Sequence, residues 1–147
     1  PHVVEKEHDI TFIGNVYGDR AHKLSSVEQP VNIVNTAYGS DHAIEVSKSK
    51  VNLNFCTSDG ASDRVYKTLA AKGFLLSDDW AGREETFVDG RDLVIFKDLE
   101  DLNDKIRYYL ANPEKAASIA ECGYNTVKKY TRDNWAKRII EIYEEIV

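Results

Sequence analysis

The sequence predicts an α/β fold, in which a parallel sheet carries helices on both faces and a helical tail follows at the C-terminus. Two observations lead to this prediction. Short apolar, β-branched runs alternate with helical patterns as far as residue 96, and beyond it the pattern is wholly helical. Strands that are joined by helices pair in parallel, and the helices then cover both faces of the sheet.

Five strands are predicted from short apolar runs that end at turn-forming residues. The first run stops at Gly14-Asn15, and the second follows Pro30. Their apolar residues are nearly continuous, which is typical of strands that are buried on both faces. The predicted strands cover residues 9–15, 31–35, 51–56, 74–77 and 92–96.

Two helices are predicted between these strands, one after the second strand and one after the third. A helix over 40–50 begins with Ser40 or Asp41 as its N-cap, and a helix over 62–73 closes at Gly73. The connection over 78–90 is long, and we expect at most one helical turn within it, around residues 83–87.

Three more helices close the chain. Asp98, followed three residues later by Asp101, has the spacing of a capping pair, and Asn112-Pro113 ends one helix and begins the next. The last helix repeats apolar residues at helical spacing, so we expect that face to be buried. Its members are Trp135, Ile139, Ile142, Tyr143 and Ile146.

Length and composition predict one domain. A chain of 147 residues with 42% hydrophobic content can bury a single core. We therefore expect one domain over residues 1–147, with a loose N-terminal segment at 1–8 and a closing helix at 131–147.

The charge balance and the cysteines exclude some classes of function. A net charge of -6 argues against a general nucleic-acid surface or a binder of anionic membranes, because both need a basic face. Cys56 and Cys122 lie far apart in apolar surroundings and read as buried free thiols, which fits a reducing compartment. No apolar run approaches the length of a transmembrane helix, and the N-terminus lacks a signal-peptide pattern. The sequence therefore predicts a cytoplasmic protein.

A charged stretch precedes the helix over 62–73. Its members are Asp59, Asp63, Arg64 and Lys67. In parallel sheets, ligands bind outside the carboxyl ends of the strands, where helix N-termini present backbone N–H groups. An anion such as a diphosphate held there could also receive the charges of Arg64 and Lys67. Alternatively, Arg64 and Lys67 are solvated and pair with Asp63 or Asp59 at the surface.

The order of motifs from residue 51 to about 142 resembles one family. The matching segments are "KVNLNF", "SDRVYKTLAAKGFLLSD", "ETFVDGRDLVIFKDLEDLNDKIRYYL" and "IAECGYNTVKKYT", and "DITFIGNVYGDR" resembles the first strand and its loop. Together they resemble the C-terminal, donor-binding domain of group-1 glycosyltransferases, which is one Rossmann-like half of the GT-B fold. The resemblance implies transfer of a glycosyl group from a nucleotide-diphosphate sugar to an acceptor that the sequence does not identify.

The resemblance also implies roles for single residues. In the family, two acidic residues eight positions apart hold the sugar and the ribose, and here that spacing falls on Asp59 and Lys67. A lysine cannot accept a hydrogen bond. Either Lys67 moves to a phosphate, or donor binding is weakened or lost. Arg64 matches the family's arginine, and Gly60 keeps its flexible loop.

Weaker candidates surround this stretch. Basic residues after the first strand would reach the diphosphate, an aromatic residue after the second would stack on the base, and acidic residues after the fourth would contact the donor. These candidates are Arg20, Lys23, Tyr38, Asp79, Glu84 and Glu85. For each, a solvated turn or a core position is the alternative. No Cys/His cluster exists, and the resemblance implies a metal-independent enzyme with no cofactor beyond its donor substrate.

The resemblance covers one half of a two-domain enzyme. Activity would need either an N-terminal partner domain or a homo-oligomer that supplies the other half. Two rival functions stay open: a non-catalytic binding module on a degenerate glycosyltransferase scaffold, which Lys67 and Lys72 favour, and a receiver-like signalling domain, suggested by Asp78-Asp79 at a strand end. The receiver is the weaker of the two, because Asn15 stands where its acidic pair would lie.

Overall fold

A computed structural model of the protein describes residues 1–57 and 60–147, and within them five parallel strands form one sheet. The strands are β1 (His8–Ile13), β2 (Asn32–Val34), β3 (Ser49–Asn54), β4 (Leu75–Ser77) and β5 (Val94–Ile95). Their order across the sheet is β2-β1-β3-β4-β5. All four pairs are parallel, with Ile10 opposite Val51 and Leu53 opposite Leu76. The predicted parallel α/β sheet is therefore confirmed.

Six α-helices follow or separate the strands in the described part of the chain. They are α1 (Asp19–Ser25), α2 (Gly39–Lys48), α3 (Asp63–Ala70), α4 (Leu99–Ala111), α5 (Pro113–Val127) and α6 (Arg132–Ile146). A single 3₁₀ turn, Arg83–Glu85, lies in the connection between β4 and β5. Asp98 caps α4 by accepting the backbone N–H of Asp101 at 2.9 Å, as the spacing predicts.

The side chains of the strands alternate between two apolar layers. Ile10, Phe12 and Leu53 point to one face of the sheet, which α1, α4 and α5 cover. Leu75 and Ile95 point to the other face, where they pack with Val65 and Leu69 of α3. The sheet is therefore covered on both faces. The carboxyl ends of the strands stay open at one edge.

Helix α1 was not predicted. Its segment lies in the short connection between the first two predicted strands, where a solvated turn is the alternative to a binding role for Arg20 and Lys23. In the structure, Leu24 is buried in the core and Arg20 is buried beside it, 7% exposed. A search for apolar periodicity assigns a charged residue to the exposed face. Because Arg20 is buried, the helix shows no clear apolar stripe in the sequence.

The prediction of a buried face on α6 is wrong. Every residue from 131 to 147 is exposed, and Trp135 keeps 69% of its surface in solvent. The pattern correctly predicts a helix, which begins with Thr131 accepting the N–H of Asn134. Periodicity identifies an apolar face but not the surface that covers it. In this chain, none of the described residues covers that face.

The two thiols and the N-terminal segment differ slightly from expectation. Cys56 and Cys122 are free, as predicted, but each is only partly buried. β1 begins at His8, one residue inside the segment that was predicted to be loose. Lys6 donates from Nζ to the carbonyl oxygens of Ser47 and Ser49, which ties part of that segment to the sheet. Among the described residues, no helix is long and apolar enough to cross a bilayer.

Candidate anion-binding site

A cavity of about 280 Å³ opens at the carboxyl edge of the sheet. It lies among the loops after β1 and β2, the first turns of α1 and α2, and the start of α3. Ligands of open parallel sheets bind at this edge. Polar and apolar surface both line it, and the residues are Ile13, Gly14, Asn15, Tyr17, Arg20, Asn35, Ala37, Tyr38, His42, Ser62, Asp63, Arg64 and Lys67.

Arg64 is held in a fixed position on one wall. Its guanidinium carbon lies 4.8 Å from the centroid of the Phe12 ring, a cation–π distance. Its Nη1 donates to Oδ1 of Asn54 at 2.9 Å. Asn54 is itself fully buried and fixed, since its Nδ2 donates to Oγ of Ser77 at 2.9 Å. Arg64 is therefore pre-positioned in the absence of any ligand.

Gly14, at the end of β1, makes room for Arg64. Its φ of 146° lies in a region that other residues rarely adopt. A Cβ atom at this position would lie 2.5 Å from Nη2 of Arg64. The glycine therefore permits both the turn after β1 and the close approach of the guanidinium group.

Arg20 supplies a second guanidinium group. Its Nε and Nη2 donate to the carbonyl oxygen of Phe55 at 3.3 and 3.1 Å, and its guanidinium carbon lies 5.2 Å from the ring centroid of Tyr17. Burial and the charge of Arg20 lower the pKa of Arg64 from its ordinary value. The two like charges are therefore close enough to repel each other.

Neither arginine has a carboxylate partner among residues 1–57 and 60–147. The ion pairs of that part of the chain, all with N···O distances up to 4.0 Å, involve other basic residues. Buried charges are usually paired, because desolvation makes an isolated charge costly. The cavity therefore holds a positive charge that a bound anion would neutralise.

Lys67 behaves differently from Arg64. Its Nζ lies 3.5 Å from Oδ2 of Asp63, and both side chains are mostly in solvent. This is the surface pair that the alternative interpretation predicts for the charged stretch. That interpretation holds for Lys67, whereas Arg64 makes no ion pair with any carboxylate of residues 1–57 and 60–147. Lys67 still borders the cavity, so its ammonium group lies at the rim.

Two tyrosines border the open side of the cavity. Tyr38 is 79% exposed, which excludes the alternative that it belongs to the core. Tyr17 is 58% exposed and lies against Arg20. Exposed aromatic rings beside a cationic cavity are suited to stacking on a flat ligand group.

The other predicted site residues that the structure describes lie elsewhere. Asp59 lies outside the described residues, and Gly60 is exposed without lining the cavity. Lys23 pairs with Asp19 and Asp78, both at 3.2 Å. Neither Gly60 nor Lys23 contributes to the cavity wall described above.

The acidic candidates after β4 also lie away from the cavity. Asp79 accepts hydrogen bonds from Nε of Arg83 at 2.7 Å and from the N–H of Trp80 at 2.9 Å. The hydrogen bond from Arg83 lowers the pKa of the Asp79 carboxyl group. Glu84 and Glu85 are exposed on the 3₁₀ turn. The contacts of Asp79 stabilise the turn, and Asp78 pairs with Lys23 and accepts the backbone N–H of Cys56. The two carboxylates therefore do not form the open acidic site of a receiver domain.

Sequence reasoning missed three residues of the site. Asn54, which positions Arg64, was read only as part of a strand. No motif in the sequence singles out His42 or Tyr17 as a site residue. The usable signal was position: Tyr17 and His42 follow the first and second strands, so they belong to the edge where the site was expected.

Comparison with known proteins identifies the family. The sequence profile described as glycosyl transferase-like matches residues 2–142, nearly the whole chain. The chain belongs to the glycosyl transferase-like family. It is a group-1 glycosyltransferase domain, as the resemblance implied, and the fold is one half of the GT-B architecture. No curated protein matches the sequence.

Solved structures similar to this glycosyl transferase-like chain share its fold. Sucrose-phosphate synthase from Thermosynechococcus elongatus superposes with a TM-score of 0.76 at 12% identity, over 97% of this chain and 46% of that one. A glycosyltransferase from Rickettsia africae ESF-5 superposes with a TM-score of 0.74 at 14% identity, over 95% of this chain and 48% of that one. A mutant of S. aureus TarM, in complex with fondaparinux, α-GlcNAc-glycerol and UDP, superposes with a TM-score of 0.74 at 14% identity, over 97% of this chain and 36% of that one. The chain thus spans less than half the length of these proteins.

Proposed function

We propose that this glycosyl transferase-like domain binds a nucleotide-diphosphate sugar in the cavity at the carboxyl edge of the sheet. The observation that carries the proposal is the pair Arg20 and Arg64, which are pre-positioned and have no carboxylate partner in the described residues. A diphosphate would supply the missing negative charge. Charge-assisted hydrogen bonds of this kind contribute on the order of 1.5–3 kcal/mol each.

The same residues would serve the chemistry of glycosyl transfer. When the bond between the anomeric carbon and the donor phosphate breaks, negative charge grows on the departing nucleotide diphosphate. Arg64, held by Phe12 and Asn54, needs no rearrangement to meet that charge. Pre-positioned charges stabilise such a transition state more than mobile ones do. Lys67 at the rim would add a third positive charge.

The shape of the cavity suits a nucleotide. The two arginines form its wall, and the exposed rings of Tyr17 and Tyr38 stand at its open side. A base stacked on one of these rings would place its diphosphate toward the guanidinium groups. Support also comes from the similar TarM structure, which contains UDP.

The acceptor and a catalytic base would come from a second half of the cleft. The similar structures are about twice as long as this chain or longer, and none of the described residues covers the apolar face of α6. We expect an N-terminal partner domain, or alternatively a second copy of the chain, to cover that face. Burying its aromatic and aliphatic side chains would yield roughly 25 cal/mol per Å².

A second function rests on Lys67. Where the resemblance implies a glutamate that accepts ribose hydroxyl groups, Lys67 offers only donors, and it is already paired with Asp63. A donor site without its ribose ligand could leave a non-catalytic module that keeps the scaffold. Nucleotide binding distinguishes the two functions.

The test is a thermal-shift screen of the folded chain against uridine, guanosine, adenosine and thymidine diphosphates and their glucose conjugates, with and without magnesium. We expect a rise in Tm for one base, as follows when a ligand binds the native state alone. The Arg64→Ala variant should lose that rise. If no nucleotide shifts the Tm of the folded chain, the donor-binding proposal is wrong and the non-catalytic module is favoured.

A further inference from the structure

His42 is a buried side chain of the cavity that the proposed function does not use. It lies at the end of the first turn of α2, is 7% exposed, and lines the cavity together with Arg64 and Lys67. Its imidazole ring makes no hydrogen bond with any residue in 1–57 or 60–147. Its ring nitrogens nevertheless reach solvent, since the fully buried polar side-chain atoms without a partner in the described residues are Oε1 of Gln29 and Oδ1 of Asn52. Because His42 lines the cavity and its ring nitrogens are accessible, an anion bound in the cavity can reach the ring.

We propose that His42 is a further donor-binding residue, which takes up a proton as the nucleotide-diphosphate sugar binds and then donates a hydrogen bond to the diphosphate. The inference rests on the proposed function, because it assigns the diphosphate to the same cavity. It adds a third contact to those of Arg20 and Arg64, and it makes donor binding depend on pH.

The charges around His42 explain why the proton arrives with the ligand. The other titratable side chains that line the cavity are those of Tyr17, Arg20, Tyr38, Asp63, Arg64 and Lys67. Burial, followed by the charges of Lys67 and Arg64, lowers the pKa of His42 from its ordinary value of 6.5. The imidazole is therefore mostly neutral at pH 7 in the free protein. The one carboxylate among these groups, Asp63, is occupied by Lys67.

A bound diphosphate reverses this balance. Its negative charge offsets those of Arg64 and Lys67 and attracts a proton to the ring, so the pKa of His42 rises in the complex. Because binding then consumes protons, affinity must increase as pH falls from the pKa of the complex toward that of the free protein. The increase is about tenfold for each unit by which the two pKa values differ.

The experiment is calorimetric titration with UDP-glucose from about pH 8 to about pH 5.5, the range over which an imidazole titrates. UDP-glucose is preferred to UDP because its phosphates are diesters and lack the monoester ionisation near about pH 6. Measurement in two buffers with different enthalpies of ionisation gives the number of protons taken up. We expect uptake approaching one proton near the middle of the range, and tighter binding at low pH.

Two variants assign the effect to this residue. His42→Gln keeps a polar side chain that cannot titrate, so its affinity should be independent of pH and its proton uptake should vanish. His22→Gln is the matched control, because His22 is exposed on α1 and does not line the cavity. It should behave as the parent does. Circular dichroism spectra of both variants should match that of the parent.

The outcomes separate the two proposals. Binding of UDP-glucose without proton uptake, or with uptake that persists in His42→Gln, overturns the role of His42 and leaves the proposed function standing. Absence of UDP-glucose binding at every pH, together with no shift for any other nucleotide sugar, overturns both. Uptake that is lost only in His42→Gln supports the inference.

Discussion

Asn54 and Arg64 are joined by a hydrogen bond of 2.9 Å from Nη1 to Oδ1 that links the middle of the sheet to the cavity. The same Oδ1 accepts Oγ of Ser62 at 3.1 Å, just before α3 begins. Asn54 therefore fixes both the arginine and the residue that precedes its helix. A buried amide at the end of a central strand thus sets the geometry of a surface site.

Replacing Arg64 by alanine should weaken binding of UDP-glucose, or of whichever nucleotide sugar the screen identifies, by roughly tenfold or more. The fold should survive, because Oδ1 of Asn54 keeps Ser62 as a donor and the repulsion from Arg20 is relieved. Calorimetry and thermal melting measure the two effects. Arg107→Ala is the matched control, since Arg107 pairs with Glu28 and Asp104 away from the cavity. Unchanged affinity in Arg64→Ala would remove Arg64 from the site.

Reversing the charge of Lys67 should lower donor affinity. Lys67→Glu places a carboxylate beside the proposed diphosphate position, and Lys67→Gln, which only removes charge, should fall between it and the parent. Both side chains of the Lys67–Asp63 pair are mostly exposed, so the fold should change little. Calorimetric titration of the parent, Lys67→Gln and Lys67→Glu ranks their affinities for the donor. Tighter binding by Lys67→Glu would instead mean that a ribose acceptor has been restored.

Truncation of the two tryptophans should change the free energy of unfolding by very different amounts. Trp135→Ala should change the free energy of unfolding by no more than about 0.5 kcal/mol, because its ring is 69% exposed. Trp80→Ala, the matched control, removes a ring that is 8% exposed and packs 6.4 Å from Phe87, and should cost ~3–5 kcal/mol. Urea denaturation gives both values. A large loss in Trp135→Ala would show that α6 packs against the body of the domain.

The thiol of Cys56 should react slowly. Burial, with the carboxylate of Asp78 beside it, raises its pKa to about 11. An ordinary thiol has a pKa of about 8.5, so little of Cys56 is thiolate at about pH 8. Alkylation by iodoacetamide in a Cys122→Ser background should be at least about tenfold slower than for free cysteine. The rate should keep rising above about pH 9, and a plateau below that pH would contradict the assigned environment.

The regular elements of the sheet could be predicted because their apolar runs have one stable arrangement. Strands at β1, β3 and β4 are too apolar to lie anywhere but inside, and helices between them force parallel pairing. The exposed face of α6 could not be predicted, since the same pattern serves a core and an interface. Nor could α1, whose buried surface includes a charged arginine.

The site was partly predictable for a similar reason. Arg64 could be placed by its position after a strand and by the family resemblance. The support from Asn54 could not, because it depends on which strand residues face each other across the sheet. Lys67 and Asp63 were correctly given a surface alternative, since residues four apart on a helix meet. The position of His42 in the site could not be predicted, because it depends on α2 and α3 lining the same cavity.

The outer strands of the sheet bear on how the protein behaves at high concentration. β2 has three residues and β5 has two, so each edge offers few unpaired backbone groups to a neighbouring sheet. Growth by strand addition, the route to fibrils, is therefore disfavoured. Any self-association should run through the side chains of α6 and should be reversed by dilution.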